Sequence, residues 1–350
     1  MVGPSPGRVR GHRRFALAAV VCLLFSACGS ETGKPPEPVP RITDGQLAQQ
    51  LKSAVSDSGA FTHLQALQEI ADRNGGNRAS PGPGYDASVD YVVSVLHGAG
   101  YDVTTPTYAL SPDDSHGQPP PRNVIAQTRT GDSGRVVLLG AHLDSVPQGP
   151  GIVDNGSGVA TLLEIATHLS ASAPVRDAVR FAFFGSEETG SQGSGAYVQS
   201  LSAQDRAKLM LYLNLDMVAS PNAGYFAQGG RGNDKSEAGP PGSATVAGVL
   251  ADQLAKTGMD AENAEFTGDD EAPFIDANIP SGGAENGDRK DKNPGQAHAW
   301  GGQAGQPFDP CYHKACDQLG NVNRDVLNRY LHAVAGTTAY FATSGQDLPG

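Results

Sequence analysis

The sequence predicts an α/β fold: a doubly wound, mostly parallel central β-sheet with helices on both faces. Three observations predict it. Val136-Val137-Leu138-Leu139, Val179 to Phe184 and Leu211 to Leu215 are short unbroken apolar runs, the pattern of strands buried on both faces. Stretches with helical spacing, Val159 to Leu169 and Ala203 to Leu209, lie among them, and strand-helix-strand repetition builds a parallel sheet. Reactive residues stand where the runs give out, at the strand ends where such sheets gather their chemistry.

The first residues belong to targeting rather than to the fold. Arg8, Arg10, Arg13 and Arg14 form a basic lead, Phe15 to Phe25 an apolar stretch, and Ser26-Ala27-Cys28 a small-residue end. The apolar stretch is shorter than the about 20 residues that span a bilayer as a helix. Residues 1–27 are expected to be an export signal, and Arg13-Arg14-Phe15 is compatible with a twin-arginine route as well as with a plain basic lead. Leu24-Phe25-Ser26-Ala27-Cys28 resembles a bacterial lipobox, with Phe25 where leucine is usual. Two readings follow. Either Cys28 carries a lipid that anchors the chain to the outer face of the cell membrane, or the segment is a secretory signal with an incidental cysteine. In the first, residues 28–42, with Pro35, Pro36, Pro38 and Pro40, form an extended tether. Residues 43–345 are expected to make one domain.

The chain carries 25 basic and 37 acidic residues, and loss of residues 1–27 removes four arginines and no acid. That balance argues against nucleic acid as a partner. Cys22 lies in the signal and Cys28 at its end, so Cys311 and Cys316 remain. In an exported protein a lone pair this close reads as a disulfide closing a tight loop, since a zinc site would need two further thiols.

Before the sheet, three helices are expected. Leu47, Leu51 and Val55 share one helical face, Leu64, Leu67 and Ile70 a second, and Val89, Val92, Val93 and Leu96 a third that stops at Gly98 and Gly100. Tyr101 to Tyr108 and Asn123 to Thr128 read as strands of a hairpin or meander around a proline-rich turn. Gln228 to Ser243, rich in Gly and Pro, reads as a surface loop, and a last helix is expected at about Arg324 to Phe341.

Five metal-ligand types are strung along this frame: His142, Asp154, Glu188, Asp216 and His313. Two imidazoles and three carboxylates suit divalent zinc, as a pair of ions. His142 and Asp144 follow the first apolar run, and alternation points them to one side, as a ligand and a carboxylate that fixes its ring. Asp154 opens a glycine-loosened turn before a helix, where an Asp is equally at home as a cap. Glu187 and Glu188 end the second run; adjacent carboxylates repel unless solvated or met by a cation, and the other reading is an exposed acidic turn. Asp216 directly follows Leu215. His313 lies inside the Cys311 to Cys316 loop, which would hold it over the site, while His63, His97, His116, His168, His298 and His332 read as surface or core residues.

With these residues the sequence resembles the secreted bacterial two-zinc aminopeptidases of the Streptomyces and Vibrio leucyl-aminopeptidase type. The likeness runs from Asn74-Gly75-Gly76-Asn77-Arg78 to Asn323. It rests on Gly140 to Val146, Asp154-Asn155-Gly156-Ser157-Gly158, Glu187-Glu188, Asn214-Leu215-Asp216-Met217, Ala272-Pro273-Phe274, and Trp300-Gly301-Gly302 leading into Cys311-Tyr312-His313. The compact Streptomyces-like members match best. The resemblance implies one zinc on His142 and Asp216, a second on Glu188 and His313, and Asp154 bridging both. It makes Glu187 the general base and Tyr312 the donor to the tetrahedral oxyanion. It departs where those members place an arginine, for Gly268 stands there, and their calcium-binding acids in the last helix are Asn328 and His332 here, so no calcium is expected.

The expectation is therefore a monomeric, exported zinc exopeptidase that removes amino-terminal residues, large apolar ones by resemblance, from peptides with a free N-terminus. Two alternatives stay open. The same site could serve a carboxypeptidase, a dipeptidase or a glutaminyl cyclase, or the chain could be a lipid-anchored binding protein on an inactive peptidase scaffold.

Overall fold

Period-two alternation along the apolar runs sends side chains to both faces of one sheet, and helices cover each face. The computed structural model describes residues 44–345 and 348, apart from 116, 234 and 235. Cys28, the export segment, the tether and His116 lie outside the described residues. The described helices are α1 (Asp44–Ala54), α2 (Asp57–Arg73), α3 (Pro83–Gly98), α4 (Pro112–Ser115), α5 (Gly156–Leu169), α6 (Gln192–Ser200), α7 (Ala203–Arg206), α8 (Ser243–Ala255), α9 (Ala272–Asp276), α10 (Pro294–Trp300) and α11 (Arg324–Ser344). The strands are β1 (Asp102–Thr104), β2 (Val124–Gln127), β3 (Asp132–His142), β4 (Asp177–Phe184), β5 (Leu209–Asp216), β6 (Phe226–Gln228), β7 (Arg231–Asn233), β8 (Ser236–Ala238), β9 (Glu262–Ala264) and β10 (Ser281–Glu285).

Eight strands form one mixed sheet in the order β1-β2-β4-β3-β5-β10-β6-β9. The centre is parallel, with β3 pairing β4 and β5, and β5 pairing β10. The pairs β1/β2, β2/β4 and β10/β6 are antiparallel. Odd-numbered positions of the centre, among them Val137, Leu139, Phe181, Phe183, Leu213 and Leu215, pack into the larger core with Leu51, Leu64, Val89, Leu163, Leu250 and Leu331 of the long helices. Even-numbered positions, Val136, Leu138, Ala182, Phe184 and Tyr212, pack against Tyr197 and Val198 of α6 and Phe274 of α9, whose ring stacks on Tyr212 at 3.9 Å. Each such buried apolar side chain contributes roughly 1.5–3 kcal/mol over an exposed one. His142 and Asp216 continue the even-numbered rows, so the register that buries the core also aims both toward one side.

Three elements differ from expectation. The helix at Ala203 to Leu209 stops at Arg206, because Leu209 is buried and pairs with Val136 as the first residue of β5. The loop from Gln228 to Ser243 contains the β7/β8 hairpin, whose register Arg231↔Ala238 is held by backbone bonds that need no apolar side chains. Strand β10 carries no apolar signature, yet it lies in the sheet interior. A Cβ on Gly283 would come 1.9 Å from Gln228 Oε1, and one on Gly282 2.6 Å from Val246 Cγ1, so the close approach that admits this strand requires glycine.

Candidate metal centre

The carboxyl ends of three parallel strands meet here. His142 ends β3, Asp216 ends β5, and Glu187 and Glu188 follow β4 across a turn in which Ser186 has φ 58°. Helix α5 brings the fourth group. Asn155, not Asp154, caps it: the Asn155 side-chain oxygen accepts from Gly158 N–H at 3.0 Å, and its Nδ2 donates to the Leu215 carbonyl at 2.7 Å. The helix start is thereby pinned to the end of β5, and a Cβ on Gly158 would collide with Asn155 Oδ1 at 2.4 Å. With the capping done by its neighbour, the Asp154 carboxylate is left to face the centre.

Asp154 stands between two imidazoles. Its Oδ1 lies 3.2 Å from His142 Nε2 and its Oδ2 3.1 Å from His313 Nε2. His142 Nε2 is also 3.5 Å from Asp216 Oδ1, and His313 Nε2 is 3.0 Å from Glu188 Oε2. Two sets of three potential ligand atoms result, His142/Asp154/Asp216 and Asp154/Glu188/His313, sharing Asp154. His313 reaches in from a loop closed by the Cys311–Cys316 disulfide and itself adopts φ 56°. The Tyr312 ring stacks on the His313 ring at 3.8 Å.

Asp144 serves the centre by a different route from the one expected. The nearest acceptor to His142 Nδ1 is the Asp144 backbone carbonyl at 3.1 Å, with its carboxylate at 3.7 Å. That carboxylate instead accepts the N–H groups of Glu187 at 3.2 Å and Glu188 at 3.4 Å, fixing the turn that carries both glutamates. Nδ1 is thus occupied and Nε2 faces the cluster.

The electrostatics suit a cation. Burial pushes the Glu187 and Asp216 carboxyls well above the carboxylate range, with the His142 charge working against it, and burial with Asp154 beside it pushes Glu188 up to about 7. Burial disfavours charge on both imidazoles, but the surrounding carboxylates override it, Asp216 first for His142 and Asp154 first for His313, which rises to about 10. Asp154 Oδ2, Glu188 Oε1 and Asp216 Oδ1 are buried without a hydrogen bond. Converging carboxylate oxygens, two imidazole nitrogens turned toward them and mixed N/O chemistry fit divalent zinc.

Several residues at the site carry no sequence signal of their own. Arg78, fully buried, donates to the carbonyls of Leu143, Pro150 and Gly151 and so holds the loop between His142 and Asp154. Asp317 binds the backbone of Val153 and Asp154. Asp269 and Asp270 add negative charge against Glu187. Arg78 sits in the Asn74 to Arg78 motif and Asp317 directly follows the disulfide, but nothing local distinguishes either from a surface charge. Gly268 is exposed with φ 91° and open space around it. A cavity of about 270 Å³ over the centre is lined by Asp154, Glu187, Asp216, Met217, Thr267, Asp269, Glu285, Asp288, Arg289, Lys290, Tyr312 and His313.

A parallel α/β sheet with such a ligand cluster at its strand ends defines a metallohydrolase of the zinc-exopeptidase class. Residues 123–338 match the model of peptidase family M28, and the chain belongs to that family. It is 33% identical to the probable lipoprotein aminopeptidase LpqL of Mycobacterium tuberculosis, over 96% of this chain and 94% of that one. It is 42% identical to leupeptin-inactivating enzyme 1 of Streptomyces exfoliatus, over 78% of this chain, but spans only 59% of that relative's length. A zinc aminopeptidase from Bacillus subtilis shares the fold, with a TM-score of 0.66 at 16% identity over 84% of this chain and 98% of that one.

Proposed function

We propose that this chain is an exported zinc aminopeptidase that holds two ions, one on His142, Asp154 and Asp216 and one on Asp154, Glu188 and His313. The observation that carries the reading is the position of Asp154, with one carboxylate oxygen turned to each imidazole. Family membership and the aminopeptidases among its relatives support the reaction class. The lipoprotein relative supports export with Cys28 as the anchor.

Bound zinc supplies Lewis acidity toward the scissile carbonyl and toward water. The rest falls to side chains. Glu187, 4.0 Å from His142 Nε2 and outside both ligand sets, takes a proton from the attacking water and delivers it to the leaving amine nitrogen. Burial and the neighbouring acids raise the Tyr312 hydroxyl well above its ordinary value, so it stays protonated and donates to the oxyanion. Acidic side chains in the cavity hold the substrate's free amine, which is what separates an aminopeptidase from a carboxypeptidase on the same scaffold; release of the amide's leaving group separates it from a cyclase.

The test is release of chromophore from aminoacyl amides before and after exhaustive chelation, with zinc restored, and with Glu187→Gln. Activity should vanish on chelation, return with zinc, and fall about 10²–10⁴-fold in the variant. Amino-blocked amides should be inert. Turnover that survives chelation, or equal turnover of blocked and free substrates, overturns the reading.

A further inference from the structure

A fourth strand end reaches the centre without joining either ligand set. Strand β10 lies beside β5, and its last residue, Glu285, is the in-register partner of Asp216. In-register residues on neighbouring strands point to the same face of a sheet, so Glu285 stands one strand over from Asp216. Its carboxylate is held in place, with Gln228 Nε2 donating to Oε2 at 2.8 Å.

Glu285 borders two adjoining cavities. One is the space of about 270 Å³ over Glu187 and Asp216; the other, about 540 Å³, is walled by Phe226, Phe266 and Phe308. Thr267, Asp288 and Lys290 border both, so the two meet along this wall. A peptide whose free amine and first carbonyl occupy the smaller space has the larger one as the nearest room for its first side chain.

Charge decides which side chain that room favours. Glu285 is half-buried, and burial with Asp288 and Asp269 nearby raises its carboxyl to about 7, with Lys290 working against them. Arg289 and Lys290 stand on the same wall but are exposed, where water and salt screen them. A branched apolar side chain offers the Glu285 carboxyl no charge, whereas an ammonium or guanidinium pairs with its ionised form and favours that form. The aromatic rings suit the aliphatic stem of such a residue, for Phe226 and Phe308 meet edge to face at 5.5 Å. We infer that the enzyme is specific for peptides that begin with lysine or arginine, with Glu285 as the counter-ion that selects them. This inference rests on the aminopeptidase reading.

The experiment compares kcat/KM for lysyl, arginyl and leucyl amides in the zinc-loaded full chain and in Glu285→Gln and Asp288→Asn. The native enzyme should favour the cationic amides at least tenfold, and Glu285→Gln should shrink the lysyl-to-leucyl ratio at least tenfold, more than Asp288→Asn does. A native preference for leucine, or a Glu285→Gln loss that is equal for both substrates, overturns the inference while leaving the aminopeptidase reading intact. If no amide is cleaved, that reading fails instead. Calorimetric titration with lysinamide against norleucinamide then decides the pocket by itself: tighter binding of lysinamide supports it, equal or weaker binding overturns it.

Discussion

Asp317 holds Asp154 in place by its backbone: one Asp317 oxygen accepts the Val153 N–H at 2.8 Å and the other the Asp154 N–H at 3.0 Å. The disulfide-closed loop that presents His313 ends one residue before Asp317. One carboxylate therefore sets the spacing between the proposed bridging residue and a proposed ligand of the second ion. Asp317→Asn replaces an acceptor with a donor against one of these N–H groups. Zinc affinity, read by chelator competition, should fall about 10–100-fold, with helix content unchanged in circular dichroism.

Removal of metal should be visible without any substrate. The cluster brings Glu187, Glu188, Asp154 and Asp216 together in a buried site, so a cation that binds the fold alone stabilises it by mass action. At a thousandfold excess over its Kd that is about 4 kcal/mol. Exhaustively chelated protein should melt several degrees lower in calorimetry and recover with zinc. A melting temperature indifferent to chelator and zinc would count against a metal centre here.

Arg78 is the most heavily engaged buried cation near the site. Its guanidinium serves three carbonyls of the 143–151 segment, while its backbone N–H donates to Ser145 Oγ at 2.9 Å. Burial lowers its affinity for the proton only to about 10, because Asp144 and Asp317 lie nearby, so it stays charged. Arg78→Met leaves those carbonyls without a donor. It should cost about 3 kcal/mol or more in urea unfolding, since each buried orphan costs roughly 1–3.

One histidine remote from the centre gives an acid-dependent signature. His63 packs beside Tyr91, whose hydroxyl lies 2.7 Å from Nδ1, and burial lowers its pKa to about 4. An unfolded histidine titrates near 6.5. Above about 6.5 the ring is neutral in both states and contributes nothing. Between roughly 6.5 and 4 the unfolded chain takes up a proton that the fold refuses, so stability is lost as pH falls through that window. The loss should approach about 2 kcal/mol, discounted for the ring's partial exposure. His63→Gln should lose correspondingly less between pH 7 and 4.5.

Much of the architecture was legible because it is written in periodicity. The runs at Val136, Val179 and Leu211 alternate sides as well as being apolar throughout, so strand class, parallel pairing and the placement of His142 and Asp216 at strand ends follow from local pattern. Strand β10 was not legible, because Gly282 and Gly283 sit there for lack of space rather than for hydrophobicity. Asp154 was ambiguous for a related reason. From the sequence Asp154 read as readily as a helix cap as a ligand, and only the approach of Leu215 to the Asn155 side chain shows that Asn155 caps α5 and leaves Asp154 free of that task.

By itself, then, the sequence determined the fold class, the candidate site residues and their order along the chain, since these rest on spacing along one strand or helix. The tertiary structure alone decided which side chains share a cation-sized space, that the Asp144 carbonyl rather than its carboxylate lies nearest His142, and that Glu285 stands beside Asp216. Those facts depend on strand neighbours and loop closures between residues far apart in the chain, and no local pattern records such distances.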